Sequence, residues 1–123
     1  MSTDPATDPV ALDPAALRDL FDLLGDDRGA LDEIVDAFLE EAPLRLAELR
    51  EGWNAGDAAL VGRAAHTLKA NAATFGARTL EARSRALEES ARSGDLGNGA
   101  GAIAAVELAW TAAEPALAGL KKP

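Results

Sequence analysis

Apolar residues recur along this chain at steps of three and four, the spacing that lines one face of an α-helix. Leu17, Leu20, Phe21 and Leu24 form the first stripe, opened by Asp13-Pro14 and closed by Gly25. An aspartate caps a first helical turn, a proline fits just inside it because its missing N–H has no partner there, and a glycine ends a helix. The pattern predicts a helix over 13–24. A longer stripe of Leu31, Ile34, Phe38, Ala42, Leu46, Leu49 and Trp53 predicts a second helix from 28–30 to Trp53, with Gly52 and Gly56 marking its exit. Pro43 falls inside that helix and should kink it, since its ring removes one backbone hydrogen bond. Val61, Ala65, Leu68, Ala72 and Phe75 predict a third helix, capped by Asp57 and ended by Gly76. Leu80, Leu87 and Ala91 predict a fourth over 78–92. After a glycine-rich loop over 93–99, Ile103, Val106, Trp110, Ala113 and Leu117 predict a fifth over 100–119, with Pro115 in its last turn.

Four long helices with short connections imply an all-α fold, an antiparallel four-helix bundle with an additional N-terminal helix covering one end or side. The expected domain spans 12–120, after a Pro/Asp/Thr-rich tail over 1–11 expected to be disordered. Composition agrees: 48% of the residues are hydrophobic, mostly Ala and Leu, and only 4% are aromatic. Ala and Leu favour helices, and β-branched residues, which favour strands, are scarce.

Charge and residue usage narrow the function. The chain has no cysteine, which excludes disulfides, thiolate catalysis and cysteine zinc sites. No apolar run approaches the roughly 18 residues of a membrane span. The polar, acidic start MSTDPATDPV lacks the features of a secretion signal, so a cytoplasmic protein is expected. A net charge of −9 disfavours nucleic acid and anionic membranes as partners. One segment departs from this balance. Residues 61–92 carry six basic side chains (Arg63, Lys69, Arg78, Arg83, Arg85, Arg92) against Glu81, Glu88 and Glu89, a net of +3 that leaves −12 for the rest. Such a segment suits a small anion or an acidic partner surface, or is an ordinary solvated face.

His66 is the only histidine. At about 100° per residue it lies at the edge of the third helix's buried stripe and faces outward. Arg63 and Lys69 lie one turn away on either side, with Ala70 beside them. A nearby cation favours the neutral, nucleophilic imidazole, and Lys69 would also neutralise an anion attached to the ring. With no second histidine, no Ser/Asp partner pattern and no ligand cluster, metal binding and triad chemistry are not expected.

The segment Ala65-His66-Thr67-Leu68-Lys69-Ala70-Asn71-Ala72-Ala73-Thr74-Phe75-Gly76-Ala77 resembles the signature of histidine phosphotransfer (HPt) domains, A-H-x-L-K-G-x-x-x-x-x-G-A. His66, Leu68, Lys69, Gly76 and Ala77 match in identity and spacing, and the family places this motif on the third helix. Phe38 and Pro43 also look like the family, and the likeness covers about 13–117. Ala70 departs from it, standing where a glycine usually lets a partner approach the ring. The resemblance implies that His66 accepts a phosphoryl group and relays it between aspartates of response-regulator receiver domains. Lys69 would neutralise its charge, and Arg63 and Ala70 would help dock the partner. It also implies second-shell roles on the fourth helix. Glu88 stands where the family often has Gln, and its carboxylate would accept a hydrogen bond from His66 Nδ1 and leave Nε2 free. Arg92 would steady the phosphoryl oxygens. Glu88 and Arg92 fit an ordinary i,i+4 ion pair equally well.

Nothing in the chain resembles a nucleotide-binding loop, so a phosphocarrier without kinase activity is expected. No cofactor is expected on this chain, the Mg²⁺ belonging to the receiver. Expected partners are receiver domains and a hybrid or sensor histidine kinase. The rival reading is a non-phosphorylated helical adaptor that binds a signalling partner through the same surface.

Overall fold

The computed structural model describes residues 12–97 and 99–121. The tail expected to be disordered, 1–11, lies outside the described residues. Five helices follow one another: α1 (Pro14–Leu23), α2 (Arg28–Ala55), α3 (Ala58–Phe75), α4 (Arg78–Arg92) and α5 (Gly99–Ala118). No strand occurs among the described residues.

The aspartate caps read from the sequence at Asp13 and Asp57 have a physical counterpart, and Asp27 adds a third at the start of α2. The backbone N–H groups of Ala15, Ala30 and Leu60 donate to the carboxylates of Asp13, Asp27 and Asp57 at 3.0, 3.1 and 3.1 Å. Each bond satisfies a donor that a helix start leaves without an intrahelical partner. Gly56 and Gly76 close α2 and α3 in the left-handed conformation, with φ of +67° and +72°. Two residues then suffice to turn the chain into the next helix.

Two details differ from expectation. The second helix does not leave at Trp53 but continues to Ala55. Gly52 sits inside the helix, where an added Cβ would lie 2.8 Å from Val61 Cγ2. That glycine lets α3 approach and does not end the helix. At the other end of the loop the fifth helix begins at Gly99, where the ring of Trp53 leaves no room for a Cβ. The Trp53 indole N–H donates to the Leu96 carbonyl at 3.2 Å, which ties the loop before α5 to the end of α2. Pro43 is exposed within α2, which runs on through it.

The inward stripes meet in one core. Phe38 of α2 stacks on Phe75 of α3 at 5.4 Å between ring centroids and meets Trp110 of α5 edge-on at 5.1 Å. Val61, Ala65, Leu68, Ala72, Leu80, Leu87, Ile103, Val106 and Leu117 are fully or nearly fully buried around them. α3 packs most extensively on α4, and also on α2; α5 packs on both α2 and α4, and α1 on α3. The rows of alanine on α3 let its neighbours come close. As a result, α4 side chains lie directly beside the exposed edge of α3.

Candidate functional site

That edge carries His66. Ala64, Ala65 and Leu68 take the buried face of α3, and helical phase turns the residue between them outward. The His66 side chain is 60% exposed. Lys69, one turn on, is half-buried, and Glu88 reaches the same place from α4. Glu88 is 4% exposed, the only buried acid among the described residues.

Three donors converge on that one carboxylate. Lys69 Nζ lies 2.6 Å from Oε1. His66 Nδ1 lies 2.7 Å from Oε2, and Arg92 donates to the same oxygen at 2.9 Å. A buried carboxylate needs such compensation, because desolvation penalises its charge. The Lys69 hydrogen bond outweighs burial and, with help from His66, holds the Glu88 carboxyl below its ordinary value of 4.5. Glu88 is therefore ionised at neutral pH and can only accept. With Glu88 able only to accept, a neutral His66 ring carries its proton on Nδ1 and keeps the lone pair on Nε2, on a side chain that is 60% exposed.

The linkage has a definite sign. A carboxyl whose folded pKa is depressed stabilises the fold above its unfolded pKa, and that contribution disappears as pH falls through the folded value. Stability from Glu88 is thus expected to be complete near neutrality and to drain away below the ordinary value of 4.5. Thermal melts of wild type and Glu88→Gln across that range check it. The wild type should lose more stability on acidification than the variant, and parallel acid slopes would show that the network contributes nothing.

The sequence-derived candidates fall into two groups. His66, Lys69, Glu88 and Arg92 meet at one point. Arg92 is anchored at a single nitrogen while its side chain stays 73% exposed. Arg63 is exposed and has no ion-pair partner among the described residues. It lines, with His66, Glu88 and Arg92, an open groove of about 720 Å³ between the first half of α3 and the end of α4. Ala70 is exposed on the other side of His66 and does not border this groove. Sequence reasoning missed Gly62 and Ala91, which line the groove; only the pairing of α3 with α4 reveals them. It also left the burial of Glu88 open, although Ser84 and Ala91 on the same face of α4 were available as a signal. Among the described residues, no cluster of His, Asp and Glu has the makings of a metal site, and no helix is long and apolar enough to cross a membrane.

Comparison with known proteins bears directly on this geometry. The family model described as Hpt domain matches residues 33–116. Among solved structures, the chain is similar to histidine-containing phosphotransfer protein B (HptB) from Pseudomonas aeruginosa PAO1, with 29% identity and a TM-score of 0.78. That match covers 88% of this chain and 91% of the other. Comparison with curated protein sequences gave no match. The family match spans well over half the chain and encloses every residue of the cluster around Glu88: the chain belongs to the Hpt domain family.

Proposed function

We propose that this chain is a phosphocarrier in which His66 Nε2 takes a phosphoryl group from the aspartate of a receiver domain and passes it to another. The observation that carries this reading is the 2.7 Å contact between His66 Nδ1 and Glu88 on a side chain that is 60% exposed. The fold that holds it is read as an antiparallel four-helix bundle, α2 to α5, with α1 added at the N-terminus. Each of those four helices packs on two of the others, as such a bundle requires.

In the transfer, the Nε2 lone pair attacks phosphorus in line. The N–P bond forms as the P–O bond to the aspartyl carboxylate breaks, and that carboxylate leaves as an anion. The Nδ1 proton stays in place, so positive charge develops on the ring as the bond forms. Glu88, already fixed beside Nδ1, stabilises that charge without moving. Lys69 holds the other oxygen of Glu88 and so fixes the ring's orientation. It also adds positive charge near the transferring group. Arg92 supplies a mobile guanidinium for the phosphoryl oxygens. The loose transition state of phosphoryl transfer demands alignment and charge neutralisation above all. The receiver contributes the Mg²⁺, and this chain contributes no nucleotide site, so it is a carrier without kinase activity. Its partners are receiver domains and a histidine kinase, in the cytoplasm.

Incubation with a phosphorylated receiver and Mg²⁺ tests the reading. Intact mass should rise by one phosphoryl group, and the group should be lost in acid and persist in base, as a phosphoramidate does. No mass gain across a panel of receivers would reject the carrier and leave the helical adaptor.

A further inference from the structure

α5 is apolar on both of its faces. Its inner face fills the core with Ile103, Val106, Ala109, Trp110, Ala113 and Leu117. Glu107 and Glu114 are the only charged side chains in its 20 residues. They lie two turns apart on one flank, where Arg50 of α2 donates to both oxygens of Glu107 at 2.6 and 3.0 Å. On the other flank Arg83 of α4 donates to the Ala105 carbonyl at 3.0 Å. The outward row between these flanks carries no charge, and a helix that is apolar all round is ordinarily covered all round. Leu108 stands in the middle of that row, 67% exposed. Leu44 and Leu23 are similarly exposed, but acids surround them: Glu40, Glu41 and Glu48 lie one turn from Leu44, and Asp19 one turn before Leu23. One turn from Leu108 in either direction lie only Ala104, Ala105, Thr111 and Ala112, and the row ends two turns away at Gly101 and Pro115. It therefore reads alike from either end, with one long side chain at the centre and short, uncharged ones to both sides. A surface that packs on itself across a two-fold axis needs this property, because each position meets its counterpart on the other copy.

We propose that two copies of this chain pair through the outer face of α5, antiparallel and about a two-fold axis at Leu108. Each Leu108 fills the space that the alanines of the other helix leave, knob into hole. Arg50 and Glu107 form a polar rim beside it. A partner of different sequence would find no charge in this row to select it, whereas a second copy brings the matching arrangement. A helix of this length presents a face about 30 Å long and 10 Å wide, so two such faces bury about 600 Å². The flanking rows of α2 and α4 extend this toward the roughly 1,000 Å² at which specific pairing begins. The pair is accordingly weak and reversible, with a Kd of about 10–100 μM. α5 packs on α2 and α4, and α3 lies diagonally across from it. Both His66 sites therefore stay on the outside of the dimer, and the proposal is independent of the carrier reading.

Sedimentation of the full chain from about 1 μM to about 1 mM spans that range of Kd. Wild type should pass from monomer to dimer. Each copy carries a net charge of −9, so raising salt from about 50 to about 500 mM should screen the repulsion and increase the dimer fraction. A contact built on ion pairs would weaken instead. Leu108→Glu should raise the Kd by about tenfold or more. Gly101→Glu should do the same, and the monomer accepts it, since nothing lies within 4 Å of a Cβ at that position. Leu44→Glu changes a similarly exposed leucine and should dimerise as the wild type does. A wild type that stays monomeric throughout would overturn the proposal. So would a dimer that Leu108→Glu retains, that Leu44→Glu also loses, or that salt dissociates. Should Leu108→Glu lose its helicity, Gly101→Glu decides in its place.

Discussion

A His66→Ala chain is expected to take up no phosphoryl group from any donor and yet to melt almost where the wild type does. Loss of uptake follows from chemistry, since His66 carries the chain's only imidazole. Glu88 is buried behind the ring and held by Lys69 and Arg92. The intact fold follows from geometry. The His66 side chain is 60% exposed, so its removal opens no cavity. Glu88 keeps Lys69 on Oε1 and Arg92 on Oε2, so no buried charge is left uncompensated. Exposed substitutions of this kind change stability by about 0.5 kcal/mol or less. Lys69→Ala should differ in its effect on stability. It removes the donor that does most to keep Glu88 ionised, so it should cost stability as well as slow transfer. Intact mass after labelling, together with thermal melts of both variants, checks the pair. A His66→Ala chain that still gains an acid-labile phosphoryl group would remove His66 from the mechanism.

The contrast between these two side chains also marks what the sequence reveals and what it conceals. Two helix starts were legible because a capping aspartate is a local signal, read at Asp13 and Asp57 and matched by the bonds they accept, whereas the Asp27 cap of α2 went unread. The outward phase of His66 was legible because Ala65 and Leu68 fix the buried face of α3. Gly52 misled because two physical causes place glycine in a helical pattern, a terminus and a close approach by another helix, and only the position of Val61 separates them. Glu88 was ambiguous for a related reason. A carboxylate four residues before an arginine reads as a surface ion pair until α3 is known to cover it. The groove was invisible, since it consists of side chains that Gly62 and Ala91 lack. Signals within one helix survive in a linear reading, and those that depend on how two helices face each other do not.

The largest loss of stability is expected from Gly76→Ala, at a position that matches the family signature but lies far from the chemistry. Gly76 closes α3 with φ of +72°, a conformation that costs any residue bearing a Cβ about 1–2 kcal/mol. Here sterics add to that cost. The new Cβ would stand 2.8 Å from Asp13 N and 2.9 Å from Asp13 O, so backbone must move. Asp13 is the residue that anchors α1. Its N–H donates to the Gly76 carbonyl at 2.8 Å, its side chain caps α1 through Ala15, and it pairs with Arg78 at 3.1 Å. Displacing it loosens all three, for a total of about 2–4 kcal/mol. Gly56→Ala is the matched control: φ is +67° there too, and nothing lies within 4 Å of its Cβ. It should therefore lose only the backbone part. Equal losses in denaturant melts of the two variants would mean that the contact with Asp13 contributes nothing. His66 sits ten residues from Gly76, about 15 Å along α3, so molecules of Gly76→Ala that remain folded should still be labelled. What the signature's glycine secures is then the attachment of α1 to the turn between α3 and α4, separately from the phosphoryl chemistry proposed for its histidine.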